Sequence, residues 1–94
     1  METDFEDLKF VKPNGGHIYN AICREKLTSI EEVSEKPLEF YLSIPNLGAC
    51  CAFTLAQYLA RNGRRPAWYD EARAMDEHYR SVKARARVNP TQKF

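Results

Sequence analysis

Twenty-one consecutive residues, Phe40 to Ala60 (FYLSIPNLGACCAFTLAQYLA), carry no charge in a 94-residue chain that is otherwise dense in Asp, Glu, Lys and Arg. A run of that kind has to leave water, into a bilayer, a core or a partner. Its length matches the roughly 20 apolar residues that a membrane helix needs. Its contents do not. Ser43, Pro45, Asn46 and Gly48 crowd the first half, and Thr54 and Gln57 stand in the second. Pro45 removes a backbone donor and clashes with the preceding turn, so a helix does not pass through it unbroken. The longest stretch free of Pro, Asn and Gly is Ala49–Arg61, too short to span. No membrane partner is expected.

The block changes period at Ile44-Pro45-Asn46. Before it, Leu38, Phe40, Leu42 and Ile44 alternate with Glu39, Tyr41 and Ser43, which predicts a strand with one buried face and Tyr41 on the other. After it, apolar residues stand nearly all round, as in a helix buried on most sides. Asn46 is the expected N-cap of a helix over Leu47–Arg61, with Asn62-Gly63 as its stop.

Upstream, Leu8, Phe10 and Lys12 begin an alternating run that meets Pro13-Asn14-Gly15-Gly16. Asn-Gly supplies the positive φ angles of a tight turn, so HIYNAI is read as a returning strand of a β-hairpin. The competing reading is a helix from Ile18 to Lys26, because Ile18, Ala21 and Ile22 also fit helical spacing. Thr28 and Ser29 before Glu31 and Glu32 form the pattern of a capping box, giving a short helix at 30–36 that Pro37 stops.

Downstream, Pro66 opens a helix to Val88. Trp68, Ala72, Met75, Tyr79, Val82 and Ala86 recur at steps of four and three along one stripe. Its acids (Asp70, Glu71, Asp76, Glu77) come early and its bases (Arg80, Lys83, Arg85, Arg87) late, which suits the helix dipole. The short connection makes the two helices antiparallel. At 1.5 Å per residue the first is about 22 Å long and the second about 34 Å, so the second overshoots by roughly two turns. The expected fold is a small single α+β domain over 1–94. Residues 1–45 are mainly β, a hairpin plus a third strand around the short helix. They pack on a helical hairpin over 46–88, and 89–94 form a tail. No internal repeat stands out.

The formal net charge of +1 hides a split. Residues 1–39 hold nine acids against five bases, and residues 40–94 hold nine bases against four acids. Such a division orients a protein in a field or favours head-to-tail association. Phosphate binding would draw on Arg64, Arg65, Arg80, Lys83, Arg85 and Arg87, although the hairpin sets the first two at the opposite end from the rest. SVKARARVNPTQKF faintly resembles the second half of a helix-turn-helix, but it lacks a turn glycine and enough chain for a recognition helix.

Chemistry is harder to assemble. Cys23, Cys50 and Cys51 are an odd number with no Cys-x-x-Cys spacing, and His17 and His78 make no ligand pair with them, so no metal or other cofactor is expected. Adjacent residues on a helix diverge by about 100°, which separates Cys50 from Cys51 and the paired carboxylates from each other. Core packing is the ordinary role of such cysteines. The acidic, hydrophilic start METDFEDLK and the unpaired thiols suggest a reducing, cytoplasmic setting.

The leading expectation is therefore a non-enzymatic adaptor, inhibitor or small subunit that occupies a partner protein's surface, or a second copy of itself. Tyr41, Trp68 and Tyr69 would be its aromatic anchors beside Arg80, Lys83, Arg85 and Arg87. The alternative is a nucleic-acid-binding regulator using the basic end of the last helix. A thiol-based redox or enzymatic role comes third.

Overall fold

The computed structural model describes residues 3–88, with side chains as far as residue 84. A 3-10 turn over Glu6–Phe10 leads into five α-helices: α1 (Gly15–Arg24), α2 (Ile30–Glu35), α3 (Leu38–Leu42), α4 (Ala49–Arg61) and α5 (Tyr69–Val88). Among the described residues there is no strand, so the expected α+β class is corrected to all-helical. The tail over 89–94 lies outside the described residues.

Both strand expectations fail for the same physical reason. Short apolar runs fit period 2 and period 3.6 alike, and long-range packing chooses between them. In α1 the buried residues are Gly15, Ile18, Ala21 and Ile22, the helical set and not the alternating one. Asn14 does adopt the left-handed conformation, with φ 69°, yet the chain leaves it as a helix instead of doubling back. In α3 the buried residues are Leu38 and Tyr41, and Ile44 follows them into the core at the same spacing of three. A strand would have turned Tyr41 outward. Instead it is wholly buried and donates its hydroxyl hydrogen to the carbonyl of Val33.

The capping box forms as the spacing implies: Ser29 Oγ accepts from the Glu32 N–H while Glu32 reaches back to the Ser29 N–H. The helical hairpin is present with shorter ends, since Gly48 and not Asn46 sits at the N-cap of α4, and α5 begins at Tyr69. Leu47, Cys51, Thr54 and Tyr58 of the first stripe are all buried, as are Trp68 and Ala72 of the second. Around them close Phe5 and Leu8 from the N-terminal turn, Ile18 and Ile22 from α1, Val33 and Tyr41. Each full burial of such a side chain contributes about 1.5–3 kcal/mol. No helix among the described residues is long and apolar enough to cross a membrane. The uncharged block spans the end of α3, a loop and all but the last residue of α4.

The overshoot survives. Thirteen residues of α4 against twenty of α5 leave about 10 Å of α5 beyond its partner. The apolar stripe enters that overshoot at Val82, and Met75, Tyr79 and Val82 are 38%, 48% and 47% exposed.

Candidate functional site

Two helices start side by side at the overshooting end. Pro13-Asn14-Gly15-Gly16 opens α1, and Pro45-Asn46-Leu47-Gly48 leads to the first residue of α4. The two tetrads share the pattern Pro-Asn-x-Gly, and both asparagines hold φ 69°. His17 Nε2 stands 2.7 Å from the Asn46 carbonyl oxygen. A carbonyl only accepts, so Nε2 carries the hydrogen and pins the second loop to α1. Gly15 is required by crowding: a Cβ there would lie 2.2 Å from the Leu8 carbonyl oxygen.

Neither helix start is capped by a side chain, and neither has an acid in its first turn. The other three α-helices each carry acids there. A helix N-terminus presents free N–H groups and about half a positive charge, which acids or caps normally balance. At α1 the chain itself supplies part of that balance, since the Gly15 N–H donates to the Val11 carbonyl at 2.8 Å; neither start is balanced by an acid of its own first turn.

That space is an open cleft lined by Pro13 and Asn14 before α1, Cys50 in the first turn of α4, and Tyr79, Arg80 and Lys83 of α5. Arg80 Nε donates to Asp76 Oδ2 at 2.8 Å. The guanidinium stays 64% exposed while the Asp76 side chain is 4% exposed, so the carboxylate beneath fixes Arg80 at the cleft wall. The hydrogen bond and charge of Asp76 raise the already high pKa of Arg80. Asp76 Oδ1 meets no donor among the described residues. Lys83 Nζ lies 5.5 Å from the centre of the Tyr79 ring, a cation–π distance. The cleft thus combines two helix dipoles and two cations, one of them already paired.

The other residues singled out from the sequence fall elsewhere. Tyr41 and Trp68 are core residues whose rings stand 5.7 Å apart, and Trp68 Nε1 donates to the Lys36 carbonyl. Tyr69 is half-buried, edge-on to Phe53 and beneath the Arg65 guanidinium. Tyr41 and Trp68 therefore hold the fold and are not free to anchor a partner, whereas Tyr69 keeps part of its surface in water. Arg64 pairs with Glu31 and Arg65 with Asp70, each at 2.9 Å, in the turn at the far end of the hairpin. The side chains of Arg85 and Arg87 lie outside the described residues.

Burial raises the pKa of the Cys51 thiol, which disfavours the reactive thiolate. Cys23, Cys50 and Cys51 are unpaired, and no group of three metal-binding side chains occurs among the described residues. A second surface lies next to the cleft: a shallow apolar groove formed by Ala49, Ala74, Met75, His78, Tyr79 and Val82.

No protein-family model, curated protein or solved structure matches the chain. The bases of α5 are legible in the sequence, whereas what lies beside them depends on the packing of α1 against α4. The repeated Pro-Asn-x-Gly, each copy followed by a helix without an acid in its first turn, was the available signal.

Proposed function

We propose that this protein binds the sugar–phosphate backbone of a nucleic acid through the cleft between the starts of α1 and α4 and the bases of α5. The observation that carries the reading is one open surface formed by Pro13 and Asn14 before α1, Cys50 in the first turn of α4, and Arg80 and Lys83, with no acid in the first turn of either helix. Phosphate groups are the natural occupants of such a place, because N–H groups and dipoles both point toward the anion. The cleft is open, and α5 continues past it with Arg85 and Arg87 in its sequence. That arrangement favours an extended polyanion over one small phosphate. Backbone contacts of this kind fix position and carry little base specificity. The protein would act as a regulator that occupies nucleic acid without cutting or modifying it. A cytoplasmic location, reducing enough for its three free thiols, belongs to the same reading.

The test is fluorescence anisotropy of a labelled DNA duplex and a labelled single-stranded RNA, titrated at several salt concentrations. With two to four phosphates neutralised, log K should fall against log salt with a slope of about −2 to −4. Lys83→Gln should make that slope shallower by about 1. Asn14→Asp places a negative charge before α1 and should weaken binding to both probes. Absence of binding at low salt, or binding indifferent to both substitutions, rejects the reading.

A second reading, engagement of a protein partner, is supported by the exposed apolar stripe of α5, where Met75, Tyr79 and Val82 lie open together. Contiguous exposed apolar side chains on a small domain mark interaction surfaces.

A further inference from the structure

We propose that the exposed stripe of α5 is covered by α5 of a second copy of this chain, packed antiparallel. The stripe has the required period. Met75, Tyr79, Val82 and Ala86 follow steps of four, three and four, the alternation that lets two helices interlock along one seam. It is also bare: Met75, Tyr79 and Val82 are exposed, and α5 continues past the start of α4. Ala49 and Ala74 edge the groove, and their small side chains let another helix approach closely.

Charge selects the occupant and its direction. Leaving aside Asp76, buried and bonded to Arg80, and Asp70, bonded to Arg65, residues 69–78 of α5 keep two acids and one base, whereas residues 79–88 keep three bases and no acid. A parallel pair would set like halves against each other. An antiparallel pair sets each acidic half against a basic half and opposes the two helix dipoles as well. With a two-fold axis between residues 80 and 81, Tyr79 meets Val82 of the second copy and Val82 meets its Tyr79. The contact is self-complementary, as a two-fold interface must be.

The interface is one helix face, smaller than the roughly 1,600 Å² of a standard stable complex, so the dimer should be weak. It does not depend on the nucleic-acid reading. Val82 and Met75 belong to the groove and not to the cleft. A dimer would set two clefts on one body and so raise avidity for a long polyanion.

Sedimentation equilibrium across a wide concentration range tests the proposal. The unmodified chain should pass from monomer to dimer with a midpoint between about 10 and 500 μM. Val82→Glu should remain monomeric at every concentration while its far-ultraviolet circular dichroism stays unchanged. Met75→Glu, an independent position on the same seam, should do the same. Added salt should weaken the antiparallel dimer, because opposite charges face each other. A chain that is monomeric at roughly 1 mM overturns the proposal. So does a dimer that survives both substitutions, or one that salt strengthens.

Discussion

Tyr58, on α4, donates its hydroxyl hydrogen to Oδ1 of Asp7, 51 residues earlier, and so ties the 3-10 turn to the helical hairpin. Without that bond the N-terminal turn is held chiefly by Phe5 and Leu8 in the core and by its packing on α1. A hydrogen bond to a charged acceptor contributes about 1.5–3 kcal/mol. Tyr58→Phe keeps the ring and removes only this donor. Chemical denaturation should report a loss of about 1–2 kcal/mol. Hydrogen exchange should quicken first over residues 4–11. A loss spread evenly over all helices would contradict the tether.

Alkali should unfold this protein through two of its tyrosines. Burial pushes the pKa of Tyr41 far above its ordinary 10.0. Burial does the same at Tyr58, where the bond to Asp7 and the negative charge of Asp7 add to the rise. An acid whose folded pKa is raised stays protonated in the fold after its unfolded counterpart has ionised. Its contribution is complete below the unfolded value and falls away as pH climbs above it. Stability should therefore hold from neutrality to about pH 10 and decline beyond. The tyrosinate absorbance of these two rings should appear together with unfolding. Tyr41→Phe should flatten the alkaline decline, and an unchanged profile would show that Tyr41 does not drive it.

How much of this was legible in the sequence depended on the length of each pattern. The six-residue stripe from Trp68 to Ala86 can be satisfied only by a helix, and the capping box at Ser29 and Glu32 specifies its own local bonds. Leu38–Ile44 offers seven residues in which Leu38 and Ile44 face inward under either period. The decision falls on Tyr41, and its burial depends on Val33 and Trp68, which local pattern does not locate. The same limit hid the cleft. Lys83 and Arg80 were visible as bases, but only the packing of α1 on α4 brings their neighbours to them.

The two glycines at the helix starts should respond unequally to a methyl group. At Gly15 the new Cβ would meet the Leu8 carbonyl oxygen at 2.2 Å and Val11 Cβ at 3.2 Å. Backbone would have to move, and overpacking of that kind costs about 1–3 kcal/mol. At Gly48 a Cβ meets nothing within 4 Å, and its φ of −101° suits any residue. Thermal unfolding should show Gly15→Ala clearly destabilised and Gly48→Ala close to the parent chain. Equal effects would mean that the turn does not press on α1 as described.

Asp76 offers a way to raise the charge of the cleft without changing any residue that lines it. It is buried, accepts from Arg80 through one oxygen and has no donor at the other. Its negative charge cancels Arg80 in any field felt by a phosphate, leaving Lys83 and the two helix starts. Asp76→Asn keeps the shape and removes the charge, so Arg80 becomes a full cation at the cleft wall. Nucleic-acid affinity at low salt should rise several-fold, and the salt slope should steepen, because one more counterion is displaced. Arg80→Gln should act in reverse on stability, since it leaves a buried carboxylate without its partner. Paired anisotropy titrations and melting curves separate the two effects. If Asp76→Asn folds normally and binds no more tightly than the parent chain, Arg80 does not face the phosphate and the cleft is not the binding surface.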